Sequence, residues 1–173
     1  MMSFTKASVI AAFFISSVGG AFAQQSANKI GGNDNWSVFE GSSPKECWAV
    51  SAPEQTVNTR GGRVVAVKRS EILLIASARP GDGGKTELSF TGGYSFAKGS
   101  TVSMNIGGKT FELLTDGEWA WPATSSDDAK IIVAMKRGAA ATLTARSARG
   151  TVTKDTFTLS GFTAALGEAE KRC

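Results

Sequence analysis

The sequence predicts a mainly β protein, an antiparallel β-sheet or sandwich of about nine short strands with two α-helices at about 125–137 and 161–172. Three observations predict it. Apolar residues alternate with polar ones in short runs, Gly- or Pro-containing turns separate those runs, and only two stretches carry apolar residues at helical spacing.

The chain opens with three parts in order. Lys6 and the amino terminus supply positive charge, Ala7 to Phe22 is largely apolar, and Ala21, Phe22 and Ala23 place small residues before a cut. Residues 1–23 are therefore expected to be a cleavable signal peptide, with cleavage after Ala23. Ser16, Ser17, Gly19 and Gly20 interrupt the apolar stretch, which falls short of the ~20 apolar residues that span a bilayer. Position 24 is Gln, so cleavage exposes no cysteine for lipid attachment. Residues 24–35 are polar and Gly-rich and read as a flexible lead-in, leaving 36–173 as a single domain.

Within that domain Trp36 and Val38 alternate with polar neighbours, and Cys47 to Val50 follows as a partner strand after a turn at Gly41 to Pro44. Ser51 to Gly62 reads as a polar loop, Arg63 to Val67 as a strand, and Ile72 to Ala76 as a buried strand. Arg79 to Gly84 is a turn before Thr86 to Thr91, where Leu88 and Phe90 share a face. Val102, Met104 and Ile106 alternate up to Gly107 and Gly108, and Phe111 and Leu113 alternate on the return, which makes this the strongest hairpin pattern in the chain. Glu118 to Trp121 follows and stops at Pro122.

Ser125 to Arg137 carries full helix punctuation. Ser125 or Ser126 serves as cap, Asp127 and Asp128 occupy the first turn, Lys136 and Arg137 the last, and Gly138 lies just beyond. Ala141 to Ser147 and Val152 to Leu159 read as two strands around a turn at Arg149 and Gly150. Phe162, Ala165, Leu166 and Ala169 then recur at helical spacing.

The chain contains no histidine, which removes Ser-His-Asp and Cys-His nucleophile systems and the commonest zinc and haem ligand. Ser95 to Lys98 matches S-x-x-K, but a strand rather than a helix follows and the companion motifs are missing. Gly83 to Thr86 and Gly107 to Thr110 both read GGKT, yet Arg79 and Ser103 stand where a phosphate-binding loop requires glycine. Asp127 and Asp128 are accounted for by the helix dipole. No catalytic residue, cofactor or metal site is expected.

The formal charge of +4 falls to +3 when Lys6 is lost with residues 1–23, too mild a balance to imply nucleic-acid binding. Two basic stretches stand out, Arg60, Arg63, Lys68 and Arg69, and Arg146, Arg149 and Lys154. Runs of this size are usually solvated faces, with an anionic contact as the functional alternative. Trp36, Trp48, Trp119 and Trp121 read first as core. Trp119 and Trp121 nevertheless share a strand face, and with Arg60, Arg63, Lys68 and Arg69 they form the candidate interaction surface. Cys47 and Cys173 are the only cysteines, and after export an intramolecular disulfide is their simplest state; an intermolecular bond or two free thiols are the alternatives.

Taken together, RVVAVKR at 63–69, YSFAKGSTV at 94–102, DDAKIIVAMKRG at 127–138 and TFTLSGFTAAL at 156–166 resemble the invasion-associated locus B family of exported bacterial proteins. The resemblance covers nearly all of 36–173 and is most specific at AMKRG (134–138) and LSGFTAA (159–165). It implies a Gram-negative protein that is periplasmic, outer-membrane-associated or extracellular. The expected role is non-enzymatic binding of an envelope protein or an anionic surface polymer, linked to host-cell invasion or envelope stress. A periplasmic small-ligand-binding or chaperone-like module and a histidine-free hydrolase are the alternatives.

Overall fold

A computed structural model describes residues 28–81, 83 and 85–173; the expected signal peptide and residues 24–27 of the lead-in lie outside them. Among the described residues the strands are β1 (Asn28–Asn33), β2 (Trp36–Ser42), β3 (Lys45–Ser51), β4 (Gln55–Arg60), β5 (Arg63–Val64), β6 (Leu73–Ala78), β7 (Thr86–Thr91), β8 (Thr101–Ile106), β9 (Lys109–Asp116), β10 (Trp119–Trp121), β11 (Ala140–Arg146) and β12 (Val152–Thr158). The helices are α1 (Ser125–Arg137), between β10 and β11, and α2 (Phe162–Arg172), after β12. All pairings are antiparallel, in one sheet of order β1-β2-β3-β6-β7-β10-β9-β8-β11-β12-β4-β5.

The sheet curls on itself. β3 and β4 are consecutive in the chain but stand far apart in strand order, and the indole N–H of Trp36 at the start of β2 donates to the Thr158 carbonyl at the end of β12 over 3.0 Å. Phe90 of β7 meets Phe157 of β12 edge-on with ring centroids 6.1 Å apart. Side chains at alternate positions, among them Val38, Ala49, Leu74, Leu88, Val102, Met104, Leu113 and Leu143, fill the shared core. The class is the mainly β one that the alternation predicts, with twelve strands in place of nine.

The additional strands lack a readable pattern for physical reasons. β1 occupies part of the expected lead-in; it lies at the sheet edge, pairs with β2 through a bulge between Lys29 and Gly31, and contributes one core side chain, Ile30. β4 occupies the expected loop; its residues are exposed or half-buried, and it pairs with β12 and turns through Gly61 and Gly62 into β5. The strand expected over Arg63 to Val67 ends at Val64, which is 77% exposed, and 65–72 runs as an irregular strap. The strap is pinned where the Ser70 N–H donates to the Gly93 carbonyl at 3.0 Å. Gly93 has φ +71°, and a Cβ there would lie 2.7 Å from the Ser70 carbonyl oxygen.

α1 matches its predicted span, but Thr124 is the cap: its Oγ1 accepts from the Asp127 N–H at 3.2 Å. Gly138 follows with extended backbone, so its role is space rather than a left-handed turn; a Cβ would come within 2.6 Å of Ile106. α2 buries Phe162, Ala165, Leu166 and Ala169 against β2 and β3, with Phe162 4.8 Å from the ring centre of Trp36. At its end Cys173 is bonded to Cys47 of β3, the intramolecular alternative of the three.

Candidate functional site: a basic cleft and an aromatic face

The strap brings Arg69 inward. Its Nη1 and Nη2 donate to Asp155 Oδ1 and Oδ2 at 2.8 and 2.6 Å, with the Arg69 side chain 5% and the Asp155 side chain 0% exposed. Nε donates to the Gly92 carbonyl at 2.8 Å, Nη1 also reaches Asn58 at 3.3 Å, and the guanidinium lies 5.0 Å from the Tyr94 ring centre. The Tyr94 hydroxyl bonds Thr153 Oγ1 at 2.5 Å, and burial pushes its pKa up. Arg69 therefore does not present its charge at a surface, as the run of charges led one to expect. A buried charge is tolerated where a bidentate partner and further acceptors satisfy it.

Around this anchor opens a cleft of about 600 Å³. Arg60 from β4, Lys68 from the strap and Arg149 from the β11–β12 turn line it, together with Glu118, Ser95, Thr151 and Thr153. Arg60 Nη2 donates to Thr151 Oγ1 at 2.7 Å. Lys68 and Arg149 have no ion pair among the described residues. The two basic stretches of the sequence are thus divided differently in space. Arg60, Lys68 and Arg149 converge, whereas Arg63, Arg146 and Lys154 are exposed and do not line the cleft.

The four tryptophans also divide. Trp36 is buried and Trp48 half-buried over Gly41, but Trp119 is 44% and Trp121 39% exposed. Both point away from the core because Ala120 between them points in. Trp121 pairs across the sheet with Leu114, itself 48% exposed, and Trp119 with Asp116. Val50 and Ile75, cross-strand partners on the same outer face, are half-buried. Glu112, Asp116 and Glu118 are exposed on or beside the strands that carry Leu114 and Trp119, and give the patch an acidic rim. The patch was within reach of the sequence as two tryptophans at spacing two; which face they occupy was not.

The remaining motifs fall at separate places in the fold. Ser95 is exposed just before the bridge of Phe96 to Ser147, Lys98 is exposed on the turn before β8, and Gly107 and Gly108 form the β8–β9 turn. Asp127 and Asp128 diverge. Asp127 is partly exposed, and hydrogen bonds from Lys130 and Thr124 hold its pKa down. Asp128 is buried, and its Oδ1 accepts the Leu88 N–H at 2.8 Å where the short β10 leaves part of β7 uncovered. Burial pushes its pKa up.

These features define a class, an antiparallel β domain closed by a carboxy-terminal helix and a disulfide. No curated protein sequence matches the chain. The family model described as invasion associated locus B (IalB) protein matches residues 36–170, and the chain belongs to that family. The crystal structure of invasion associated protein b from Bartonella henselae is similar in fold, with a TM-score of 0.56 at 18% identity, covering 82% of this chain and 95% of that one.

Proposed function

We propose that the mature chain is an exported, non-enzymatic protein of the bacterial envelope that docks a partner protein against the outer face of its sheet. The observation that carries this reading is the outward pair Trp119 and Trp121 beside Leu114. An exposed aromatic and aliphatic cluster of this kind is the usual centre of an interface, where tryptophan is enriched among the residues that dominate affinity. Leu114, Val50 and Ile75 favour a protein over a saccharide, since a sugar ring stacks on an indole and gains little from aliphatic neighbours. The acidic rim of Glu112, Asp116 and Glu118 selects a partner with a basic surface, by charge complementarity.

Export is supported by residues 1–23 and by the Cys47–Cys173 bond, which persists in oxidising compartments. No helix among the described residues is long and apolar enough to cross a membrane. Invasion belongs to the names of the family and of the Bartonella henselae protein, and for this chain we place it second to a general envelope role.

The test is crosslinked affinity capture from the native envelope with wild-type protein and with Trp119→Ala/Trp121→Ala. A reproducible basic protein recovered by the wild type and lost by the variant supports the reading. Equal recovery by both, recovery of a glycan alone, or recovery of nothing overturns it.

A further inference from the structure

We infer that the cleft under the 65–70 strap is a binding site for an acidic saccharide unit, a sugar that carries one carboxylate or phosphate. Arg60, Lys68 and Arg149 come from three separate segments, and like charges gathered around one concavity focus a positive potential that attracts an anion. They are cancelled only in part. Asp155, the adjacent buried acid, gives both oxygens to Arg69, and Glu118 is the single carboxylate in the lining. The four cationic side chains of the lining, set against Asp155 and Glu118, leave two positive charges in excess.

The rest of the lining argues for a hydroxylated carrier. Ser95 supplies an exposed hydroxyl, and the exposed Glu118 in the same lining offers an acceptor for ligand O–H groups. That carboxylate also repels a polymer charged at every position, such as a nucleic-acid backbone. A volume of about 600 Å³ lies in the small-molecule range of roughly 300–1,000 Å³ and is far larger than a bare oxyanion needs. Arginine forks suit carboxylate and phosphate oxygens alike, so both acidic sugars share the same recognition. The anchor at Arg69 holds the strap, and with it Lys68, at the cleft's edge before any ligand arrives.

The experiment is a set of NMR shift titrations of the disulfide-bonded mature protein with glucuronate, glucose 6-phosphate, glucose and inorganic phosphate. At least one acidic sugar is expected to bind about tenfold or more tighter than glucose and than inorganic phosphate, with shifts at Ser95, Thr151 and Arg149; which one identifies the carboxylate or the phosphate form. Lys68→Gln and Arg149→Gln are each expected to weaken it about tenfold, and Lys154→Gln, an exposed cation outside the cleft, to leave it unchanged. All three positions are exposed, so these variants keep the fold, which thermal unfolding checks. Four results overturn the inference: no binding of either acidic sugar, equal binding of glucose, equal binding of inorganic phosphate, or equal loss in Lys154→Gln.

Discussion

Replacing Arg69 by Ala removes one half of a fully internal ion pair. The Arg69 side chain is 5% exposed and Asp155 is 0% exposed, so the variant leaves a buried carboxylate without its partner. Breaking such a pair costs about 3–5 kcal/mol, a large part of the ~5–15 kcal/mol that holds a domain folded. For a chain of this length each kcal/mol lowers the melting temperature by about 2–4 °C, so the expected fall is roughly 6–20 °C. Arg69→Met/Asp155→Leu removes both charges, and such replacements are often neutral or better. Here the Gly92 carbonyl and Asn58 still lose their donor, so the double variant is expected to recover only part of the loss, about 2 kcal/mol. Urea unfolding of the oxidised protein, followed by tryptophan fluorescence, measures all the variants on one scale. A cost below about 1 kcal/mol for Arg69→Ala, or a double variant no better than the sum of its single changes, refutes the reasoning.

Two further outcomes follow from the core. Reduction should add two hydrogens to the mature protein's mass, and Cys47→Ser/Cys173→Ser should lose up to about 4–5 kcal/mol, because the bond spans 126 residues; free thiols in the native protein would contradict it. Asp128 has its pKa raised by burial, so the folded state holds a proton that the unfolded state releases, and stability should fall as pH rises above the ordinary Asp value of ~3.9 through the raised one. Asp128→Asn, which keeps an acceptor for the Leu88 N–H, should flatten that dependence, whereas Asp128→Ala should cost about 1–3 kcal/mol in urea unfolding by orphaning the donor.

What the sequence made legible is what neighbours in the chain decide. The β8–β9 hairpin, α1 and the apolar stripe of α2 each rest on a period and on local punctuation, and all three stand where the pattern predicts. β1 and β4 rest on backbone pairing at or near a sheet edge, where few side chains enter the core, so no alternation marks them. The strap shows the opposite failure. Val64 to Val67 has strand composition, but Val64 is exposed, and the segment's path is set by Arg69 turning in toward an aspartate 86 residues away. The tryptophans show a third limit, since a period of two says that Trp119 and Trp121 share a face and leaves open which face.

The candidate site follows from the same inversion. Read along the chain, Arg69 is one more cation beside Lys68; in the fold it is the cation that takes both oxygens of Asp155. The anchor and the cleft therefore cannot be separated. Losing Arg69 would loosen the strap that carries Lys68 and would leave the Asp155 carboxylate without its partner, so the local excess of positive charge would fall by one. The buried pair thus has a role beyond stability, in that it fixes the strap that carries Lys68 and occupies both oxygens of a buried carboxylate.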